Sequence, residues 1–277
     1  MNKLNILQNY RNDFLKSKPF PFFEIKNALP DKIYDELKKD YHIFDDFFNK
    51  DTNAKKNNAR LQVNSDIILK NERLFKSSIW YDFVKYHTSK EFVEDLLNIF
   101  DDDIKKIYPD TKLLIEDKRN NENFVSHRSA TNINIFEFVA DCQPGINTPV
   151  QYSNSVRGPH VDNPVELIGG LFYLRDANDD SKGGDLTIYE AKNDIYFKDK
   201  AEVENIDNLK LIKTIKYDKN HCLFFLNTQN SIHAISPREK TNFKRYLTNI
   251  IVERYKDSNG LFKIKRRNFL QKILKSS

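Results

Sequence analysis

The sequence predicts an α+β chain that is mainly β, with N-terminal helices packed outside a sandwich, jelly roll or barrel. Three observations carry that reading. Up to Pro109 apolar residues recur at helical spacing, and beyond it they alternate as strands do. Six of the seven glycines fall between positions 145 and 184, so the chain concentrates its permissive backbone inside the strand region. Helices come first and strands after, which fits helices laid on one β core better than alternating βαβ units.

The elements follow in order. Residues 4–16 and 30–42 show helical periodicity, the second opening at Pro30 and Asp31, with a short strand FPFFEI between them. The Asn/Lys-rich stretch 43–64 reads as a long surface loop or lid. Residues 67–86 are mainly helical, and Ser89 caps a longer helix that Pro109 closes. Nine strand-like segments follow, at 111–116, 132–140, 148–153, 165–174, 184–190, 209–217, 221–227, 231–236 and 243–255. The whole, 1–277, is expected to form one domain: a helical N-terminal elaboration over residues 1–110, a jelly-roll core over 111–256 and a basic C-terminal helix over 257–277.

Composition sets the exclusions. The 277 residues carry 45 Lys+Arg against 40 Asp+Glu, a net charge of +5, and 13% are aromatic, too many for a disordered chain. Residues 261–277 hold six basic groups and no acid, so the rest of the chain is one unit negative and does not read as a nucleic-acid surface. Phe269, Leu270, Ile273 and Leu274 recur at helical spacing in that tail. It serves either as a docked helix with a solvated basic face or as a contact for an acidic partner or membrane surface. No apolar run is long enough for a transmembrane helix, and the N-terminus lacks the pattern of a secretory signal. With only Cys142 and Cys222, a disulfide framework or a cysteine zinc site is ruled out, and the cytoplasm is the default compartment.

Each of the six histidines is a possible ligand. His42 and His87 read as capping or surface groups, His221 as structural, and His127 as a candidate pocket residue without a partner pattern. His160 differs, because Asp162 follows two residues on and would share its side of a strand. His233 lies on its own short strand, SIHAIS. Two imidazoles and one carboxylate on one face form a donor set suited to non-haem Fe(II), with coordination positions left open. Twelve residues beyond His233, Arg245 could reach into the core and grip a dicarboxylate bidentately. Arg238, just after Pro237, competes for that role and is expected at the rim.

The segments HVDNP (160–164), LFYLRD (171–176), SKGGDLTIYE (181–190), SIHAISP (231–237) and KRYLTNIIV (244–252) resemble the Fe(II)- and 2-oxoglutarate-dependent oxygenases, in their prolyl-4-hydroxylase-like branch. The likeness spans about residues 130–255, and PFPFFEIKNAL (19–29) is similar to the strand that opens many such domains. It implies a double-stranded β-helix, a cupin-like jelly-roll barrel. It implies Fe(II) on His160, Asp162 and His233, and 2-oxoglutarate held through its distal carboxylate by Arg245 and Tyr173. Asn249 would supply an amide to the co-substrate, and Tyr152 would be a second pocket tyrosine. O₂ would be the oxidant and ascorbate an optional reductant. The implied activity is that of a dioxygenase, a hydroxylase releasing succinate and CO₂; the carboxylate at 162 favours oxidation over halogenation.

Two other readings of the same ligands stay open. One is a cupin-like barrel that binds metal or sugar without redox turnover, and the other a zinc hydrolase with Glu166 as general base. The substrate, peptidyl, amino-acid or saccharide, is not written in the motifs, nor is the oligomeric state. Specificity is expected in loops 118–131 (with Arg119, His127 and Arg128), 141–159 (with Arg157) and 175–182.

Overall fold

The computed structural model describes residues 3–109, 121–128, 133–255 and 260–267. The helices are α1 (Asp31–Lys39), α2 (Asp45–Lys50), α3 (Ser65–Lys70), α4 (Glu72–Phe75), α5 (Ile79–His87), α6 (Lys90–Ile99) and α7 (Asp101–Ile107). The strands are β1 (Phe22–Lys26), β2 (Arg60–Gln62), β3 (Val125–His127), β4 (Phe138–Asn147), β5 (Glu166–Leu174), β6 (Leu186–Ala191), β7 (Leu209–Ile215), β8 (Lys219–Leu226), β9 (His233–Ile235) and β10 (Arg245–Glu253). The chain is a mixed α/β structure with two sheets. The larger has the order β1-β8-β5-β10-β4-β2, antiparallel along that path, with β3 running parallel to β4; the smaller has the order β7-β6-β9.

The pleat of the large sheet explains its two burials. Phe138, Ala140, Cys142 and Ile146 of β4, Phe172 of β5 and Cys222, Phe224 and Leu226 of β8 point to one side, where they join Trp80, Phe83 and Phe92 of the helices in one core. Phe83 lies 5.9 Å from Phe172 and nearly parallel to it. Tyr173, Leu223, Phe225 and Leu247 point to the other side and meet Leu186, Ile188 and Ile215 of the small sheet. The layers are therefore helices, large sheet, small sheet. The pair Gly169–Gly170 in β5 makes this packing possible, because a Cβ at Gly170 would stand 2.2 Å from the Phe224 ring and one at Gly169 2.7 Å from that of Phe225.

Helix ends follow their caps. Ser78 and Ser89 accept from the backbone of Trp80 and Phe92, opening α5 and α6. His87 closes α5 by bonding Phe83 O through Nδ1 at 2.7 Å, but it is fully buried rather than at the surface.

Several expectations are corrected. Residues 4–16 form turns and one 3₁₀ segment instead of a helix. Asn5 Oδ1 accepts from the Leu7 amide at 2.8 Å and Gln8 donates to Ala28 O, so side chains there compete for the bonds a helix needs. The stretch 43–64 is no simple loop, since it contains α2 and β2. Residues 148–153 are not a strand, because Asn57 Oδ1 takes the amides of Gln151 and Tyr152 that a ladder would use. The strand expected over 132–140 instead spans 138–147. Residues 260–267 are not helical. The strand expected at 111–116 and the periodic stretch of the basic tail, 268–277, lie outside the described residues. Among the described residues no helix is long and apolar enough to cross a membrane. Cys142 and Cys222 are buried and unpaired.

Candidate metal and co-substrate site

The site sits between the two sheets, in a cavity of about 470 Å³. His160 lies outside any long strand, in a bridge with His233: His160 N donates to His233 O at 2.9 Å and His233 N to His160 O at 3.0 Å. That main-chain exchange places the two imidazoles side by side, their centroids 4.2 Å apart. Asp162 completes the group, with Oδ1 3.4 Å from His160 Nε2 and Oδ2 3.6 Å from His233 Nε2. One ligand atom from each residue falls within 4.8 Å of the others, the one such grouping among the described residues.

The donor chemistry fits a divalent transition metal. His160 Nδ1 meets Gly158 O at 2.7 Å and His233 Nδ1 meets Ser231 O at 2.9 Å. A carbonyl can only accept, so both Nδ1 atoms carry the proton and both Nε2 lone pairs face inward. Burial and the neighbouring His160 push His233 down to about 4, which keeps it neutral. Burial works against the Asp162 carboxylate, while positive charge beside it, from the imidazoles when protonated and from the Arg157 guanidinium throughout, holds the group below the usual carboxylate range. Arg157 Nη1 donates to Asp162 Oδ1 at 3.1 Å. Two nitrogens and one oxygen on one side, with the cavity on the other, are the donor set that non-haem Fe(II) takes.

A second cluster lies on the large sheet. Arg245, 1% exposed, opens β10; its Cζ stands 4.9 Å from the Tyr173 ring centroid and 5.0 Å from that of Tyr217. Its Nη1 donates to Asn147 Oδ1 at 3.0 Å. Its Nε and Nη2, the Asn147 Nδ2 and the Tyr173 hydroxyl are buried without a partner among the described residues. Three N–H groups that can only donate and one hydroxyl that can turn its proton inward make a hole suited to an anion, because buried polar groups left unpaired cost about 1–3 kcal/mol each. Burial pushes Tyr173 up to about 12, so it donates as a neutral phenol. Arg245 and Asn147 line the cavity itself, and Tyr173 stands just behind that wall.

Gly183 lets the chain pass the Pro237 backbone, and Gly184 makes room for the arginine side chains. Both have positive φ, +79° and +76°, and a Cβ on Gly184 would reach 3.0 Å from Arg238 and 3.1 Å from Arg245. Arg238 is not at the rim; it is fully buried and spends its Nη groups on Asn58 Oδ1, Thr148 O and Phe243 O.

The remaining expected residues divide. Asn249 lines the cavity with its Nδ2 3.4 Å from Gln143 Oε1. Arg128 lines it too, but is committed to Asp141 and Glu253. Glu166 lines the same cavity, where burial and the nearby Asp162 and Glu253 raise its carboxyl well above the usual range. Tyr152 is a correction: it is 65% exposed and away from the cavity, because Asn57 binds its backbone on the outer surface. His127 is half-buried in β3 and does not line the cavity. Loop 175–182 contributes nothing to the wall, and Arg119 lies outside the described residues.

Sequence reasoning missed Arg60, Gln62, Asn64, Gln143 and Asn147, all of which line the cavity. The alternation in β4 was a usable signal for the last two: even positions from 138 to 146 are apolar, while Asp141, Gln143 and Asn147 share the opposite face.

No family model and no curated protein matches this chain. Solved structures do resemble it. A prolyl 4-hydroxylase from Phytophthora capsici is 12% identical with TM-score 0.49, over 85% of this chain and 59% of that one, so this chain spans little more than half of its length. A prolyl hydroxylase from Trichoplax adhaerens, in complex with a hypoxia inducible factor peptide fragment, is 14% identical over 92% and 88%, with TM-score 0.46. The dioxygenase for auxin oxidation 1 from Arabidopsis thaliana, in its 2-oxoglutarate complex, is 12% identical over 84% and 83%, with TM-score 0.41. At such identities no residue's role carries over from them.

Proposed function

We propose that this chain is an Fe(II)- and 2-oxoglutarate-dependent dioxygenase built on a double-stranded β-helix, one that hydroxylates a C–H bond with release of succinate and CO₂. The supporting observation is a juxtaposition: the His160–Asp162–His233 cluster shares one cavity with an anion hole of four unpaired buried donors centred on Arg245. A barrel that only bound metal or sugar would have no use for that second feature.

When bound, the iron couples decarboxylation of the keto acid to oxidation of the substrate by O₂. The chain's own residues do the rest. His160 and His233 present neutral Nε2 atoms, with orientation fixed by the carbonyls behind them. Asp162 supplies the negative charge, and Arg157 holds it in place. Arg245, Asn147 and Tyr173 take the distal carboxylate of 2-oxoglutarate, which gives their donors the acceptors that the described residues do not supply. Leu171, Leu186, Phe225 and Leu247 form an apolar wall that limits water at the reacting centre. The substrate is a peptidyl residue, an amino acid or another small molecule that fits a cavity of about 470 Å³.

The test is anaerobic addition of Fe(II) and then 2-oxoglutarate, watched for the visible charge-transfer band of the keto-acid chelate. The band is expected in the parent and lost in His233→Ala. A folded protein that retains iron and shows no band would overturn the reading and leave the non-redox barrel.

A further inference from the structure

The cavity lining is rich in guanidinium groups, with Asp162 and Glu166 as its carboxyls among the described residues. Four arginines line it: Arg60, Arg128, Arg157 and Arg245. Arg128 is neutralised by Asp141 and Glu253, Arg157 by Asp162, and Arg245 faces the hole described above. Arg60 alone has no acceptor among the described residues, although it keeps a large exposed surface and that surface opens into the cavity.

The register shows where it stands. Arg60 of β2 lies opposite Asn147 of β4, and Asn147 lies opposite Arg245 of β10. The two arginines thus occupy one row on one face, two strand spacings or about 10 Å apart. Arg60 shares the cavity lining with His160, Asp162 and His233, so it opens onto the same space as the metal cluster. Beside it the amides form a fixed ladder. Gln62 donates to Gln143 Oε1 at 2.7 Å, and Gln143 donates to Asp141 Oδ2 at 2.6 Å and to Asn64 Oδ1 at 3.2 Å. That ladder leaves Gln143 saturated and unable to neutralise a guanidinium. A planar guanidinium against neutral amides suits a carboxylate held by two parallel bonds.

We propose that Arg60 anchors a carboxylate of the primary substrate, so that the molecule oxidised here is a small carboxylic acid. The inference deepens the dioxygenase reading and rests on it for the occupant of the Arg245 hole. Two anions then sit in one cavity, one on each arginine of the row, with the metal cluster within reach of both.

The experiment follows the arginine Nε–Hε resonances of the full chain loaded with Zn(II), with Arg60 and Arg245 assigned by the signals lost in Arg60→Gln and Arg245→Gln. 2-Oxoglutarate is added to saturation, then acetate is titrated as the probe. The expected result is that 2-oxoglutarate moves Arg245, acetate then moves Arg60 saturably, and Arg60→Gln weakens acetate about tenfold or more while 2-oxoglutarate changes less than about twofold. Arg60→Lys, which keeps the charge and loses the fork, should fall between the two. An Arg60 resonance that acetate leaves unmoved overturns the proposal. So does one already moved by 2-oxoglutarate alone, with Arg60→Gln weakening the keto acid, because Arg60 would then belong to the co-substrate. If 2-oxoglutarate fails to move Arg245 while acetate still moves Arg60, the dioxygenase reading falls and the second anion site stands.

Discussion

The Arg245 guanidinium packs against the Tyr173 ring at 4.9 Å, and both residues hold buried donors that no group among the described residues satisfies. Left unpaired, each costs the folded state free energy that a bound carboxylate would return. Arg245→Ala should therefore weaken 2-oxoglutarate by about 2–5 kcal/mol, while Tyr173→Phe, losing one hydrogen bond from a neutral phenol to the carboxylate, should cost less, about 1.5 kcal/mol. Equilibrium titration of the keto acid checks both, and equal effects from the two variants would be incompatible with a guanidinium-centred clamp.

Alanine at His160, Asp162 or His233 should lower metal affinity roughly a hundred-fold or more and leave the fold in place. The bridge between His160 and His233 uses only backbone atoms, so it survives either histidine change. Metal content after dialysis, read beside the near-ultraviolet circular dichroism, separates loss of ligand from loss of structure.

A pH dependence should arise far from the cavity, at His87. Burial pushes this imidazole down to about 3 from 6.5. The unfolded chain therefore takes up a proton below pH 6.5 that the native state refuses. Stability from this group is complete above pH 6.5 and lost as pH falls toward 3, at about 1.4 kcal/mol per unit. Urea unfolding of His87→Leu should show a shallower decline than the parent between pH 6.5 and 5; parallel curves would mean that His87 is already charged in the core.

Gly183→Ala should destabilise by about 3 kcal/mol or more. Its φ is +79°, and an added Cβ would stand 1.8 Å from Pro237 O, which is backbone and cannot swing away. Thermal unfolding measures the loss, and a shift within error would mean that the turn before β6 relaxes freely.

Much of the strand core was legible because its side chains alternate over five or more residues. β5, β6, β8 and β10 lie where alternation and turn residues placed them; His160, Asp162 and His233 come together too, but through the bridge at His160 and not on the shared strand face that the His-x-Asp spacing suggested. β2 was not legible. It has three residues, its flanks are rich in Asn and Lys, and only pairing with β4 makes it a strand, so Arg60 and Gln62 were hidden in an apparent loop. At residues 4–16 the apolar spacing was real, since Ile6 and Leu7 are buried, but Asn5 bonding to its own turn won over helix propensity. Tyr152 was misplaced because a neighbouring tyrosine in the chain says nothing of which way a turn will face.

The reciprocal amide bonds between His160 and His233 have a consequence for how such a site can change over time. The spacing of the two imidazoles is a property of the peptide chain, not of the side chains packed around them. Neighbouring loops can be rewritten without retuning the metal-binding distance. By the same token, a lineage that lost either imidazole would inherit an intact framework and an open cavity, ready to take a different ligand.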